Sequence, residues 1–190
     1  MKDPQTLRAL EVPEAVRRRL RLPVIGQLGF VVRDTDETAR YYDRVFGLGP
    51  WTVMDGETED CTNRGVPVTI RGKIGIAQVG PVQFELIQIL EGESIHSEFL
   101  RERGEGLHHI GFYVRDIEAR LQACRDAGIE VLQKGTIRQG PVRIQYAYLD
   151  TVSIGGVVFE YIQYRIGPVA VVLPPLLMKG LSRLGALTAK

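Results

Sequence analysis

Cysteine is scarce in this sequence. Cys61 and Cys124 are the only two among 190 residues, and their spacing fits neither a metal-binding pair nor a disulfide framework. Cys124 falls at an apolar helical position and reads as a small core residue. Charge of one sign is also missing. Lys plus Arg total 24 against 23 Asp plus Glu, a formal net charge of +1, so nothing points to nucleic acid as a partner. The basic run Arg17, Arg18, Arg19 and Arg21 lies close to Glu11 and Glu14 and reads as a solvated helix face. Long apolar runs are absent as well. The most apolar stretch, Val169 to Met178, is too short and too broken by proline to span a bilayer. The opening residues MKDPQTLRALEVPEAV carry charges and prolines where a secretory signal needs an apolar core, so a cytoplasmic protein is expected. No glycine-rich phosphate loop is evident. Histidine occurs three times, twice as a neighbouring pair in GEGLHHIGFYVRD, Gly104 to Asp116.

What the sequence does have is a copy of itself. The stretch QLGFVVRD, Gln27 to Asp34, matches HIGFYVRD, His109 to Asp116, at five of eight positions. Both read as strands, and each precedes a helical pattern. In the first, Asp34 and Glu37 have capping-box spacing, Ala39, Tyr42, Val45 and Phe46 share a face, and Gly47 closes the helix. In the second, Ile117, Leu121, Cys124 and Ala127 form the stripe and Gly128 the stop. FELIQ from Phe84 then answers FEYIQ from Phe159. Strand-like segments at 50–54, 66–76, 129–133 and 143–149 complete two βαβββ units, an α+β fold whose halves cover each other or enclose a cavity. The expected organisation is an N-terminal extension (1–23), a first module with its connection (24–103), a second module (104–164) and a C-terminal extension (165–190).

Side chains two apart on a strand share a face. Gln27, Gly29 and Val31 therefore lie opposite Leu28, Phe30 and Val32, and His109, Gly111 and Tyr113 lie opposite Ile110, Phe112 and Val114. Glu85 pairs with Ile87, and Glu160 with Ile162. One polar residue per repeat strand emerges: Gln27, Glu85, His109 and Glu160. A carboxylate on an apolar strand is costly to bury unless it is paired or metal-bound. Singly, each residue suits packing or solvent exposure; their recurrence at matched positions favours a divalent-metal site. The donor mix suits zinc, nickel, cobalt or manganese. Gly29 and Gly111 would leave room above the ion for substrate. His108, one residue out of phase, is assigned a structural role. Val31, Ile87, Tyr113 and Ile162 are expected to form an apolar pocket wall.

With these residues identified, the chain over about 24–164 resembles the vicinal oxygen chelate superfamily, which includes glyoxalase I, methylmalonyl-CoA epimerase, extradiol dioxygenases and bleomycin-resistance proteins. It is most similar to methylmalonyl-CoA epimerase-like members through SIHSEFLRERGEGLHHIGF, RDIEARLQACRDAGI and GGVVFEYIQ. The Gln/Glu/His/Glu set instead resembles that of glyoxalase I. The resemblance implies paired βαβββ modules, a metal held by Gln27, Glu85, His109 and Glu160 in a half-barrel cavity, and an enolate formed from a carbonyl or acyl-thioester substrate. It also implies that Glu160, Glu85 or both act as base, in an epimerase, isomerase or lyase. The epimerases' second glutamate has no counterpart in Gly65 to Ile70, and Val31 and Ile89 replace the glutathione-gripping residues of glyoxalase I. Acyl-CoA, a keto acid or another organic acid is the implied substrate; Lys134, Arg138 and Arg143 read as loop residues that either meet a CoA phosphate or are simply solvated. A homodimer is expected, with the apolar C-terminal extension packing on a partner or over the pocket. The alternative is a metal-free binding or sequestration module of the same fold.

Overall fold

The computed structural model describes residues 12–171. A short helix, α1 (Glu14–Leu20), precedes the first module: β1 (Gln27–Val31), α2 (Thr35–Phe46), β2 (Thr52–Asn63), β3 (Val66–Pro67), β4 (Arg71–Val79) and β5 (Val82–Glu91). Helix α3 (Ile95–Arg103) leads into the second: β6 (Gly106–Tyr113), α4 (Ile117–Asp126), β7 (Val131–Gln139), β8 (Val142–Leu149), a one-turn α5 (Val152–Gly155) and β9 (Val158–Ile166), followed by β10 (Val169–Val171). The α+β reading of two βαβββ modules holds. The expected packing of the C-terminal extension concerns 172–190 above all and lies outside the described residues. Among those described, no helix is long and apolar enough to cross a membrane.

The two modules join edge to edge twice. Strands run β9–β6–β1–β5–β4–β2–β7–β8, and β8 pairs back to β9, so eight strands close into a ring. The intermodule seams are β1 with β6 and β2 with β7, both antiparallel. Within the modules, β1–β5 and β6–β9 are parallel, because the strand after each helix runs with the first and two antiparallel pairings then restore that direction in the last. Short β10 pairs with β9 over Tyr164–Ile166, past the end of the β6 pairing.

The helices begin and end for local reasons. The Asp34 carboxylate accepts from the Glu37 backbone N–H at 2.9 Å, and Gly47 stops α2 at φ 63°, a left-handed cap that glycine adopts without cost. The expected apolar face of α2 is only half buried, however. Ala39 and Tyr42 pack on Val32, Leu86 and Trp51, whereas Val45 and Phe46 are 55% and 67% exposed. In α4 the whole stripe is inside: Ile117, Leu121 and Cys124 meet Phe112, Ala147 and Tyr161. Each fully buried aliphatic side chain contributes about 1.5–3 kcal/mol. Leu121→Ala, at a site only 1% exposed, should cost about 2–5 kcal/mol. Urea unfolding would measure this; a loss under about 1 kcal/mol would mean that the helix–sheet core is looser than its burial implies.

Two elements depart from the expected strands. β2 runs to Asn63 rather than ending near Met54, and β7 runs to Gln139. Their polar extensions are held by seam pairing, Thr58 with Ile137 and Thr62 with Lys134. Tertiary pairing overrides a local sequence (DGETEDCTN) that resembles a loop.

Candidate active site

The four polar strand residues converge inside the ring. Register sets Gly29 beside both His109 and Glu85, and Gly111 beside both Gln27 and Glu160. The His109 Nε2 lies 3.2 Å from a Glu160 oxygen and 3.3 Å from a Glu85 oxygen. Gln27 donates from Nε2 to Gln83 Oε1 at 2.8 Å. The same oxygen accepts from the Tyr113 hydroxyl at 3.2 Å, so the carbonyl end of Gln27 is left facing Gly111.

The two glycines have a different purpose from the one expected. A Cβ on Gly29 would lie 2.0 Å from His109 Nε2, and one on Gly111 would lie 2.9 Å from Gln27 Oε1. They make room for the donor side chains themselves rather than for substrate. Ile87 and Ile162 line the cavity with Glu85, Glu160 and Gln27. Val31 and Tyr113 do not belong to its wall. Val31 is buried at the end of β1, and Tyr113 turns its hydroxyl to Gln83 and its ring over Gly26.

Burial opposes charging His109, but the carboxylates of Glu160 and Glu85 outweigh it and hold the imidazole at about 9. Burial pushes the Glu160 carboxyl upward against the pull of His109. Tyr148, beside it, is raised well above its ordinary range by burial and then by Glu160.

All three histidines meet here. Strand β6 bulges against β1, where Gly29 faces His109 and Phe30 faces Leu107, leaving His108 unpaired. Its Nδ1 comes within 3.1 Å of His109 Nδ1. His96, from the first turn of α3, completes the group with its ring 4.6 Å from that of His108. Burial, then the neighbouring His109, lowers His96 to about 3; burial also lowers His108 strongly. Both are therefore neutral at ordinary pH. The sequence reading gave His96 no role, because a helix residue outside the repeat has no partner position. The signal available was scarcity, as His96 is the third of three histidines.

The donor set fits a divalent cation. Gln27 Oε1 is buried without a partner, and His109 Nε2 and Glu160 Oε2 are buried 3.2 Å apart but outside hydrogen-bond geometry, which is costly unless something else engages them. Ligands about 2.1 Å from an ion sit roughly 3.0–3.4 Å apart when adjacent, the range of the two His109–carboxylate distances. The three histidines also place donor atoms within 4.8 Å of one another. That set is neutral, whereas two carboxylates balance a dication in a low-dielectric interior. Lys134 and Arg143 flank a separate depression with Asp60 and Glu118, and Arg138 is paired with Glu59 at 3.0 Å.

This architecture is a known one. Residues 26–148 match the Glyoxalase/Bleomycin resistance protein/Dioxygenase superfamily, and the chain belongs to that family. The uncharacterized protein YqjC of Bacillus subtilis (strain 168) is 28% identical over 138 residues, 72% of this chain and 89% of that protein. A methylmalonyl-CoA epimerase of Streptomyces coelicolor, solved with 2-nitronate-propionyl-CoA, is similar at 25% identity and a TM-score of 0.53, covering 75% of this chain and 97% of that one. A hypothetical protein of Bacillus halodurans C-125 is 26% identical with a TM-score of 0.52, covering 73% and 92%.

Proposed function

We propose that this chain is a metal-dependent enzyme that moves a proton next to a carbonyl, as an epimerase, isomerase or lyase, with Gln27, Glu85, His109 and Glu160 as ligands. The observation that carries the reading is the convergence of buried polar atoms from Gln27, His109 and Glu160, none of them in hydrogen-bond geometry with another group. A bound zinc, nickel, cobalt or manganese ion would supply Lewis-acid stabilisation of negative charge developing on a substrate oxygen. The protein's own contribution is the base. Glu160 is 3% exposed, and burial raises its proton affinity, which suits a carboxylate that accepts a carbon-bound proton near neutral pH. Glu85 flanks His109 as well and is the second candidate base. Gln83 orients the Gln27 amide, and the His108 contact fixes the His109 ring. A small-molecule substrate in the barrel and a homodimer in solution complete the proposal.

Elemental analysis of full-length protein purified without chelator, beside a His109→Ala/Glu160→Ala double variant, tests it. About one transition-metal equivalent per chain, lost in the variant, is the expected result. No metal in either, even after soaking with all four ions, would favour a metal-free binding module. A Glu160→Gln variant that keeps its metal should lose proton exchange by about 10²–10⁴-fold; undiminished exchange would remove Glu160 as the base.

A further inference from the structure

We infer that His96 is a ligand-binding residue of this cavity, donating a hydrogen bond to an oxygen of a ligand whose buried body, beyond the oxygens that would reach the ion, is apolar and carries no carboxylate. The inference rests on the proposed site but concerns residues outside the metal set. His96 is 4% exposed and lines the same cavity as Gln27, Glu85 and Glu160. Both of its ring nitrogens are buried without a hydrogen-bond partner. A neutral imidazole carries one donor and one acceptor, and a protein interior rarely leaves both idle. The ring is also fixed in place. His108 packs 4.6 Å from it, Tyr148 stands edge-on at 4.9 Å and His109 edge-on at 6.2 Å. A donor held this rigidly, one ring away from His109, is preorganised for a polar atom bound beside the quartet.

The rest of the wall says what that atom is attached to. Eight isoleucines line the cavity, and among the described residues no lysine or arginine does. The nearby cations are elsewhere: along β8 the cavity-lining residues are Ile144, Tyr146 and Tyr148, so alternation sends Arg143 outward, and Arg138 is paired with Glu59. A ligand carboxylate held away from the ion, against the isoleucine wall, would be desolvated with no lysine or arginine to meet it. A carboxylate on that distal body is therefore disfavoured, whereas a hydrocarbon or aromatic body bearing neighbouring oxygens is matched by the isoleucine wall and by His96.

Two probes that share a chelating oxygen pair and differ only at a distal group separate these cases: 4-methylcatechol and 3,4-dihydroxybenzoate. Each is titrated anaerobically into cobalt(II)-loaded full-length protein and followed by the cobalt visible spectrum. The methyl probe should bind at least about tenfold more tightly than the carboxylate probe. His96→Phe, which keeps an aromatic ring and removes the donor, should weaken the methyl probe about tenfold with the probe-free cobalt spectrum unchanged, and His96→Gln should recover part of the loss. Equal or tighter binding of the carboxylate probe, or no effect of His96→Phe, overturns the inference. Loss of cobalt from His96→Phe would do so too, because it would make His96 a metal ligand. If wild-type protein takes up no cobalt, the proposed function fails, and the same pair titrated by calorimetry into the metal-free chain still decides the present point: the methyl probe must be preferred and must depend on His96.

Discussion

Gly29→Ala should abolish the proposed metal binding while leaving most of the fold intact. The added methyl would lie 1.9 Å from His109 Cε1 and 2.0 Å from Nε2, closer than any packing contact, so the ring has to leave its position. Nothing around it yields readily. His109 is fully buried, with Glu85, Glu160 and Tyr148 against its ring. Forcing the overlap should cost about 1–3 kcal/mol in stability, and displacing the one imidazole of the quartet should lower metal affinity by at least about 100-fold. Gly56→Ala provides the comparison, because its new methyl would come no nearer than 3.9 Å, to Ile137, and should change stability by less than about 1 kcal/mol. Metal content and urea unfolding of the two variants check this. Normal metal content in Gly29→Ala would show that His109 does not occupy the space above Gly29.

Stability should fall on both sides of neutral pH, the acid limb set by His96 together with His108 and the alkaline one by His109. His96 has a folded pKa of about 3 against an ordinary value of 6.5. Below pH 6.5 the unfolded chain takes up a proton that the folded chain refuses, so stability declines as pH falls toward 3, by roughly 4 kcal/mol from this residue. His109 behaves in the opposite way. Its folded pKa is raised to about 9, so in the ion-free protein its contribution is complete below 6.5 and is lost as pH rises through 9. Unfolding free energies of metal-free protein from pH 3 to 9.5, beside His96→Phe, test the assignment. The variant should lose most of the acid limb that His96 supplies and keep the alkaline one. Parallel curves for the two proteins would sink it.

The fold was legible because the chain repeats. Matching QLGFVVRD with HIGFYVRD located both first strands, both helices that follow and the phase of their faces, and FELIQ with FEYIQ located both last strands. What failed to show was everything that depends on contact between the modules. The acidic end of β2 has no apolar alternation and is a strand only because β4 and β7 flank it. The bulge that brings His108 to His109 is a property of the β1–β6 seam, not of either strand alone. Val45 and Phe46 have the spacing of a buried stripe, yet α2 turns them outward at its last turn. At the site, alternation brought the four polar residues to one face, but it could not say what the neighbouring glycines accommodate. The side chains of His109 and Gln27 had to be seen lying over them.

The two seams also bear on how the chain is made. Strand β1 pairs with residues that follow it by about 80 positions, and β2 with β7 at a similar distance. During synthesis β1 and the acidic end of β2 therefore lack these partners until β6 and β7 leave the ribosome. Open edges of this kind are templates for another strand. At high expression, the second module of a different chain offers the same two edges with the same register. Exchanged dimers, in which each ring is completed by its neighbour's half, would be built from the contacts of the monomer with no new surface required.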